Sequence, residues 1–146
     1  MKLVYPAIFT PCLSSSGFTV IIPDLPGCVT EGTSLLEAIE MGQDAASGWI
    51  LDELEDGHNC PPASTIHDIP CPEDSFLNLL VLDIDNYATR YGTKAVRKNI
   101  TIPAWLNTYG EKMNLNFSKI LQDALLAAAQ ATQTNPAENK KSAESS

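Results

Sequence analysis

The chain has 146 residues, a formal net charge of −9, 44% apolar and 18% charged residues, which suits one ordinary domain or two small ones with a real core. No apolar run reaches the roughly 20 residues of a membrane-crossing helix, and the opening MKLVYPAIFT is interrupted where a secretion signal would be continuously apolar. A membrane protein is thereby excluded, and a cytoplasmic one is expected.

Residues 2–10 are rich in β-formers, and Pro6 inside the run cannot donate to a ladder, which predicts an edge strand or a bulge there. Ser14-Ser15-Ser16-Gly17 then serves as a hairpin loop into a second strand, Phe18 to Ile22. Pro23-Asp24-Leu25-Pro26-Gly27 is a turn: the prolines fix φ, Asp24 caps, and Gly27 is free to take φ > 0. Cys28-Val29-Thr30 resumes extended structure, so the three runs predict an antiparallel meander.

The period then changes. Ser34-Leu35-Leu36-Glu37 fits a capping box, in which the serine oxygen takes an orphan N–H and the glutamate reaches back to the cap residue. Leu35, Ile39, Ala46, Trp49 and Ile50 recur at three- and four-residue steps, and Gly57 supplies the stop, giving a long amphipathic helix packed on the meander. Residues 58–75, with Pro61, Pro62, Pro70 and Pro72, form a connection. Phe76 to Leu82 is apolar at both parities, as expected of an inner strand buried on both faces. The predicted order is βββαβ.

A polar link over 86–93 leads to a β-prone stretch, Lys94 to Ile102, and Pro103 opens a helix to Lys112 without losing a hydrogen bond. Trp105, Leu106 and Tyr109 can bury one side of it, Trp105 against a dimer partner. Asn114-Leu115-Asn116 is a turn, and Asn116 or Ser118 caps a second helix with Ile120, Leu121, Ala124, Leu125 and Ala128 as its inward stripe. So short a strand-helix-helix unit cannot bury a core of its own, and it is expected to dimerise. Residues 132–146 lack periodicity and read as a disordered tail.

Chemistry is sparse along this chain. Cys12, Cys28, Cys60 and Cys71 contain no CxxC, and His58 and His67 stand at no zinc-ligand interval from them, so neither a metal nor a cofactor is expected. The thiols are buried or incidental. Both histidines fall in the proline-rich connection, solvent-facing and outside any triad pattern, so no catalytic residue is assigned. Asp24, Glu40, Asp44, Asp83 and Asp85 invite a two-metal nuclease, yet no alternate-face carboxylate pair lies within the core strands, and these acids read as solvated.

Charge divides the chain in two. Residues 1–93 carry fourteen Asp/Glu against Lys2 and Arg90, a net of −12, and residues 94–146 have a net of +3. Such asymmetry suggests two different partners.

The segment V-R-K-N-I-T-I-P-A-W-L followed by M-N-L-N-F-S-K-I-L-Q-D-A-L resembles the ribbon-helix-helix family of DNA-binding proteins. The resemblance implies that two protomers pair one strand each and insert the ribbon into the major groove. With Ile100 and Ile102 toward the core, Arg97, Asn99 and Thr101 would contact bases. Lys94, Lys98, Asn116, Ser118 and Lys119 would contact phosphates, the last three at a helix N-terminus. Lys98 departs from the apolar residue expected at its parity.

The front half resembles the HicB antitoxin family through Tyr5-Pro6-Ala7-Ile8-Phe9, Gly17-Phe18-Thr19-Val20 and Pro23-Asp24-Leu25-Pro26-Gly27-Cys28-Val29-Thr30-Glu31-Gly32. This resemblance implies an α+β fold: an N-terminal βββαβ domain, partial and degraded RNase H-like, over 1–90, then a ribbon-helix-helix domain over 94–131, then the tail. It also implies binding to a HicA-type toxin, a small basic mRNA endonuclease, with Asp24, Leu25, Pro26 and Glu31 as candidate contacts. Operator DNA and a homodimer or higher even-numbered oligomer complete the expected partners. Two other readings are a stand-alone ribbon-helix-helix regulator without a toxin, and an active RNase H-like nuclease using Asp24 and Asp83.

Overall fold

The computed structural model describes residues 1–91 and 95–132. Strands β1 (Lys2–Pro11), β2 (Phe18–Ile21), β3 (Val29–Gly32) and β4 (Phe76–Asp83) form one antiparallel sheet in the order β3-β2-β1-β4. Helix α1 (Leu35–Glu55) packs on one face of it, followed by α2 (Ile84–Tyr91), α3 (Ala104–Lys112) and α4 (Phe117–Thr132). The meander and the βββαβ order are as the sequence predicts, within a mixed α+β fold.

Pro6 shows how an inner strand tolerates proline. Cys12 donates its N–H to the Gly17 carbonyl on the β2 side, so by the two-residue period the backbone of Pro6 faces that side as well. β2 ends at Ile21, opposite Ile8. Pro6 lies beyond that end, and its missing N–H removes no ladder bond.

The sheet has one wet face and one dry face. Toward α1 it presents Leu3, Tyr5, Phe9, Val20, Leu80 and Leu82, all buried. β4 therefore differs from the doubly buried inner strand expected: it sits at the sheet edge with helix on one side only, and Leu79 and Val81 on its other face are 49% and 52% exposed. Apolar content at both parities does not guarantee a second covering layer.

Side-chain amides fill part of the free edge of β4 and the end of β1 that β2 does not reach. Gln130 of α4 accepts from the Lys2 N–H at 2.5 Å and donates to the Lys2 carbonyl at 2.9 Å, filling the edge of β1 that β2 does not reach. On β4, Gln43 donates to the Val81 carbonyl at 3.1 Å, and the Leu79 N–H donates to the Asn78 side chain at 3.0 Å. Such capping blunts strand-to-strand addition at these positions.

Ser34 caps α1 as expected, its hydroxyl accepting from the Glu37 N–H at 3.1 Å. Glu37 does not return the bond; its carboxylate accepts from the Thr33 hydroxyl at 2.7 Å instead. The buried stripe is Ala38, Gly42, Ala46 and Ile50, whereas Leu35 is exposed. Small residues win here because the helix lies close to the sheet: a Cβ on Gly42 would stand 3.0 Å from a Leu80 methyl.

Residues 86–91 are helix α2 rather than a polar link. Asp83 accepts from the Asn86 N–H at 3.3 Å, Asp85 and Arg90 complement the dipole at either end, and Tyr87 packs where Gly48 of α1 leaves room. The β-prone stretch beyond forms no intrachain ladder over its described residues 95–103. A strand needs a partner, and this single chain offers it none there. α3 starts at Ala104, with Pro103 at the cap position rather than in its first turn, and Asn114 takes φ 54° in the turn to α4. Of the tail expected over 132–146, Thr132 ends α4, and 133–146 lie outside the described residues.

Candidate functional site

The turn after β2 is closed by three backbone bonds, Ile22 N–H to Cys28 O at 3.1 Å, Leu25 N–H to Ile22 O at 3.1 Å and Cys28 N–H to Leu25 O at 2.9 Å. Gly27 takes φ 79° there, so its left-handed conformation is the reason for glycine. Asp24 reaches across to the proline-rich connection, accepting from the Ser64 N–H at 2.8 Å and the Ser64 hydroxyl at 2.6 Å. Tyr5 anchors the same connection by donating to the Pro61 carbonyl at 2.7 Å. Burial pushes the Tyr5 hydroxyl well above the usual phenol range, with Cys60 and Asp24 adding to the shift. Burial likewise raises the Cys28 and Cys60 thiols.

These contacts sort the four candidate toxin-facing residues. Leu25 is 1% exposed and belongs to the core, which corrects its placement at a partner surface. Asp24 is half-buried with both carboxylate oxygens engaged. Pro26 is exposed, and its carbonyl accepts from the Trp49 indole at 3.1 Å. Glu31 is exposed on β3. Asp24 thus holds the connection over the sheet, and Asp24→Ala is expected to cost about 1–2 kcal/mol of stability. Thermal unfolding of the variant checks this.

The carboxylates of α1 face a groove that the sequence did not reveal, because half of it is α2. Glu40, Asp44, Asp83, Tyr87, Arg90 and Tyr91 line a cavity of about 660 Å³. The Tyr87 and Tyr91 rings meet at 4.6 Å, and the Tyr91 hydroxyl donates to Asp44 at 3.3 Å. Burial and then Asp44 raise the Tyr87 hydroxyl above its ordinary value. Asp24 and Asp83, the pair of the nuclease reading, serve separate structural roles, one clamping Ser64 and the other capping α2. Among the described residues no group of three or more His, Cys, Asp or Glu converges as a metal site. His58 and His67 are exposed, His58 within 3.0 Å of Glu53.

In the basic segment Arg97, Lys98, Asn99 and Thr101 are exposed, and Lys94 lies outside the described residues. Asn116 is the cap of α4, accepting from the Lys119 N–H at 3.0 Å. Ser118 stands in the first turn, its hydroxyl accepting from Gln122 at 3.1 Å. The Lys119 ammonium pairs with Asp123 at 3.2 Å. Nearly all the apolar side chains beside them are uncovered: Trp105 is 71% exposed, Tyr109 52%, Ile120 50% and Leu125 58%.

Comparison with known proteins joins these features. Residues 5–113 match the family model described as the HicB-like antitoxin of bacterial toxin–antitoxin systems. The chain belongs to the HicB-like antitoxin family. A relative in Haemophilus phage HP1, an uncharacterized 14.9 kDa protein of the rep-hol intergenic region, is 37% identical over 93 residues, covering 63% of this chain and 68% of that protein. A chain of a toxin–antitoxin complex from Streptococcus pneumoniae matches with TM-score 0.58 and 25% identity, over 88% of this chain and 99% of its own. The Burkholderia pseudomallei antitoxin HicB shares the fold at TM-score 0.50 and 23% identity, over 86% and 98%. The family and the toxin–antitoxin complex it resembles support an antitoxin role for this HicB-like chain. None of its described helices is long and apolar enough to cross a membrane.

Proposed function

We propose that the N-terminal body, a partial RNase H-like domain, binds and silences a HicA-type mRNA endonuclease, and that residues 94–131 dimerise as a ribbon-helix-helix unit on operator DNA to repress the operon. The observation that carries the DNA-binding half is the uncovered apolar surface of 95–132. Trp105, Tyr109, Ile120 and Leu125 cannot form a core within one chain, and a second copy would bury them while pairing the two 95–102 segments. Charge supports the other half: a body of net −12 complements a toxin that must be basic to hold RNA.

Co-expression with the small basic reading frame beside the gene tests this reading. Growth should be rescued, and the recovered complex should have no nuclease activity. Continued killing despite a soluble complex would overturn it, and the absence of any such frame would favour a stand-alone regulator.

A further inference from the structure

Two cavities of about 660 and about 400 Å³ lie along one side of α1. They share Met41, Asp44 and Tyr87, so they form one trough, with Tyr87 lying against Gly48 as their common wall. Its acids are strung out rather than gathered. Glu40, Asp44 and Asp52 follow one another along α1, separated by helical rises of about 6 Å and about 12 Å, and Asp83 joins them from the end of β4. Among the described residues no three of them converge as a metal site, so the charge is laid out for an extended cation rather than a compact ion.

A second, independent feature lies in the wall. Ser47 is 4% exposed and lines the trough, and among the described residues its hydroxyl has no hydrogen-bond partner. A helical serine or threonine commonly returns its hydroxyl to the carbonyl four residues back, as Thr89 and Thr108 do. Ser47 does not. Every fully enclosed side-chain N or O among the described residues is paired, so the Ser47 oxygen opens into the trough, where a ligand N–H can reach it. The surfaces around it suit a charged group on an apolar stem. Tyr87 and Tyr91, with ring centroids 4.6 Å apart, and Trp49 supply aromatic rings, whose faces attract ammonium groups. Met41 and Val81 supply apolar contact for methylenes. Arg90 is the one cation among the described lining residues.

We propose that the trough binds a linear polyamine, a small organic cation whose ammonium groups are joined by methylene chains. Its charges pair with the carboxylates along α1, its stem lies on Met41 and Val81, and one N–H donates to the Ser47 hydroxyl. The concave shape and a volume in the usual range of small-molecule sites favour such a ligand over a protein face, which would be flatter and wider. Such binding requires neither a toxin nor an operator, so its failure is separate from failure of the proposed function.

Isothermal titration calorimetry of the full chain with spermidine tests this. Saturable binding of one spermidine per chain is expected, weakening as salt is raised and resisting competition by magnesium chloride. Asp44→Asn should weaken binding at least about tenfold and Ser47→Ala at least about threefold. Glu73→Gln, outside the lining of the trough, should leave it unchanged. Heat that does not saturate, unchanged affinity in Asp44→Asn or Ser47→Ala, or equal weakening by Glu73→Gln would reduce the effect to charge screening and overturn the site. Binding of oligolysine without binding of spermidine would overturn it as well, assigning the trough to a basic protein. Should Asp44→Asn unfold by circular dichroism, Glu40→Gln on the exposed rim carries the result.

Discussion

Gly32→Ala is expected to destabilise the N-terminal body by about 3 kcal/mol, at the upper end for overpacking, and to lower its melting temperature by roughly 10–20 °C. A Cβ at this position would stand 2.3 Å from the backbone nitrogen of Ala38 and 2.6 Å from its Cα. Both atoms belong to the first turn of α1, whose Ala38 N–H is bonded to the Ser34 carbonyl at 2.9 Å. No side chain can rotate out of the way, so the helix start must move away from β3, and the buried stripe from Ala38 to Ile50 moves with it. Gly27→Ala is the comparison. It has open space around it and only its φ of 79° to accommodate, so about 1–2 kcal/mol is expected. Equal losses in the two variants would mean that the β3–α1 seam has slack the packing does not suggest.

That contrast also explains what could be read from the chain. Gly27 announces itself, because Pro-Asp-Leu-Pro-Gly needs a left-handed residue. Gly32 sits in an unremarkable Thr-Glu-Gly-Thr and owes its identity to a helix that arrives from six residues further on. The meander, the Ser34 cap and both C-terminal helices follow from local rules of turns, caps and periodicity. The features that escaped depend on the third dimension. Leu35 and Ala38 are both plausible on an apolar stripe, and only the short distance between α1 and the sheet selects Ala38. Phe76 to Leu82 carries apolar residues at both parities whether its outer face meets a helix or another molecule. Asp24 could be assigned to a turn but not to Ser64, forty positions away, and the groove beneath Tyr87 and Tyr91 required knowing that 84–91 is helical. Leu25 stands among exposed residues of the turn, although its side chain enters the core.

Arg97→Ala is expected to weaken operator binding by about 1–3 kcal/mol, or roughly 5- to 150-fold, and to relax one base preference. The proposed ribbon requires this. Ile100 and Ile102 share one parity and Arg97, Asn99 and Thr101 the other, and a paired strand sends the two sets to opposite faces. In the single chain both sets are exposed, so only dimerisation distinguishes an isoleucine that becomes core from an arginine that remains free to reach guanine. Lys98→Ala should behave differently: a phosphate contact is lost, so affinity falls for all sequences and the salt slope declines by about one. Fluorescence anisotropy with operator and scrambled duplexes across a salt series separates the two patterns. Toxin inhibition should remain at wild-type strength in both variants, since residues 97 and 98 lie outside the acidic body. A parallel loss of toxin neutralisation would show that the basic segment helps hold the toxin, and that the charge division of the chain is not a division of labour.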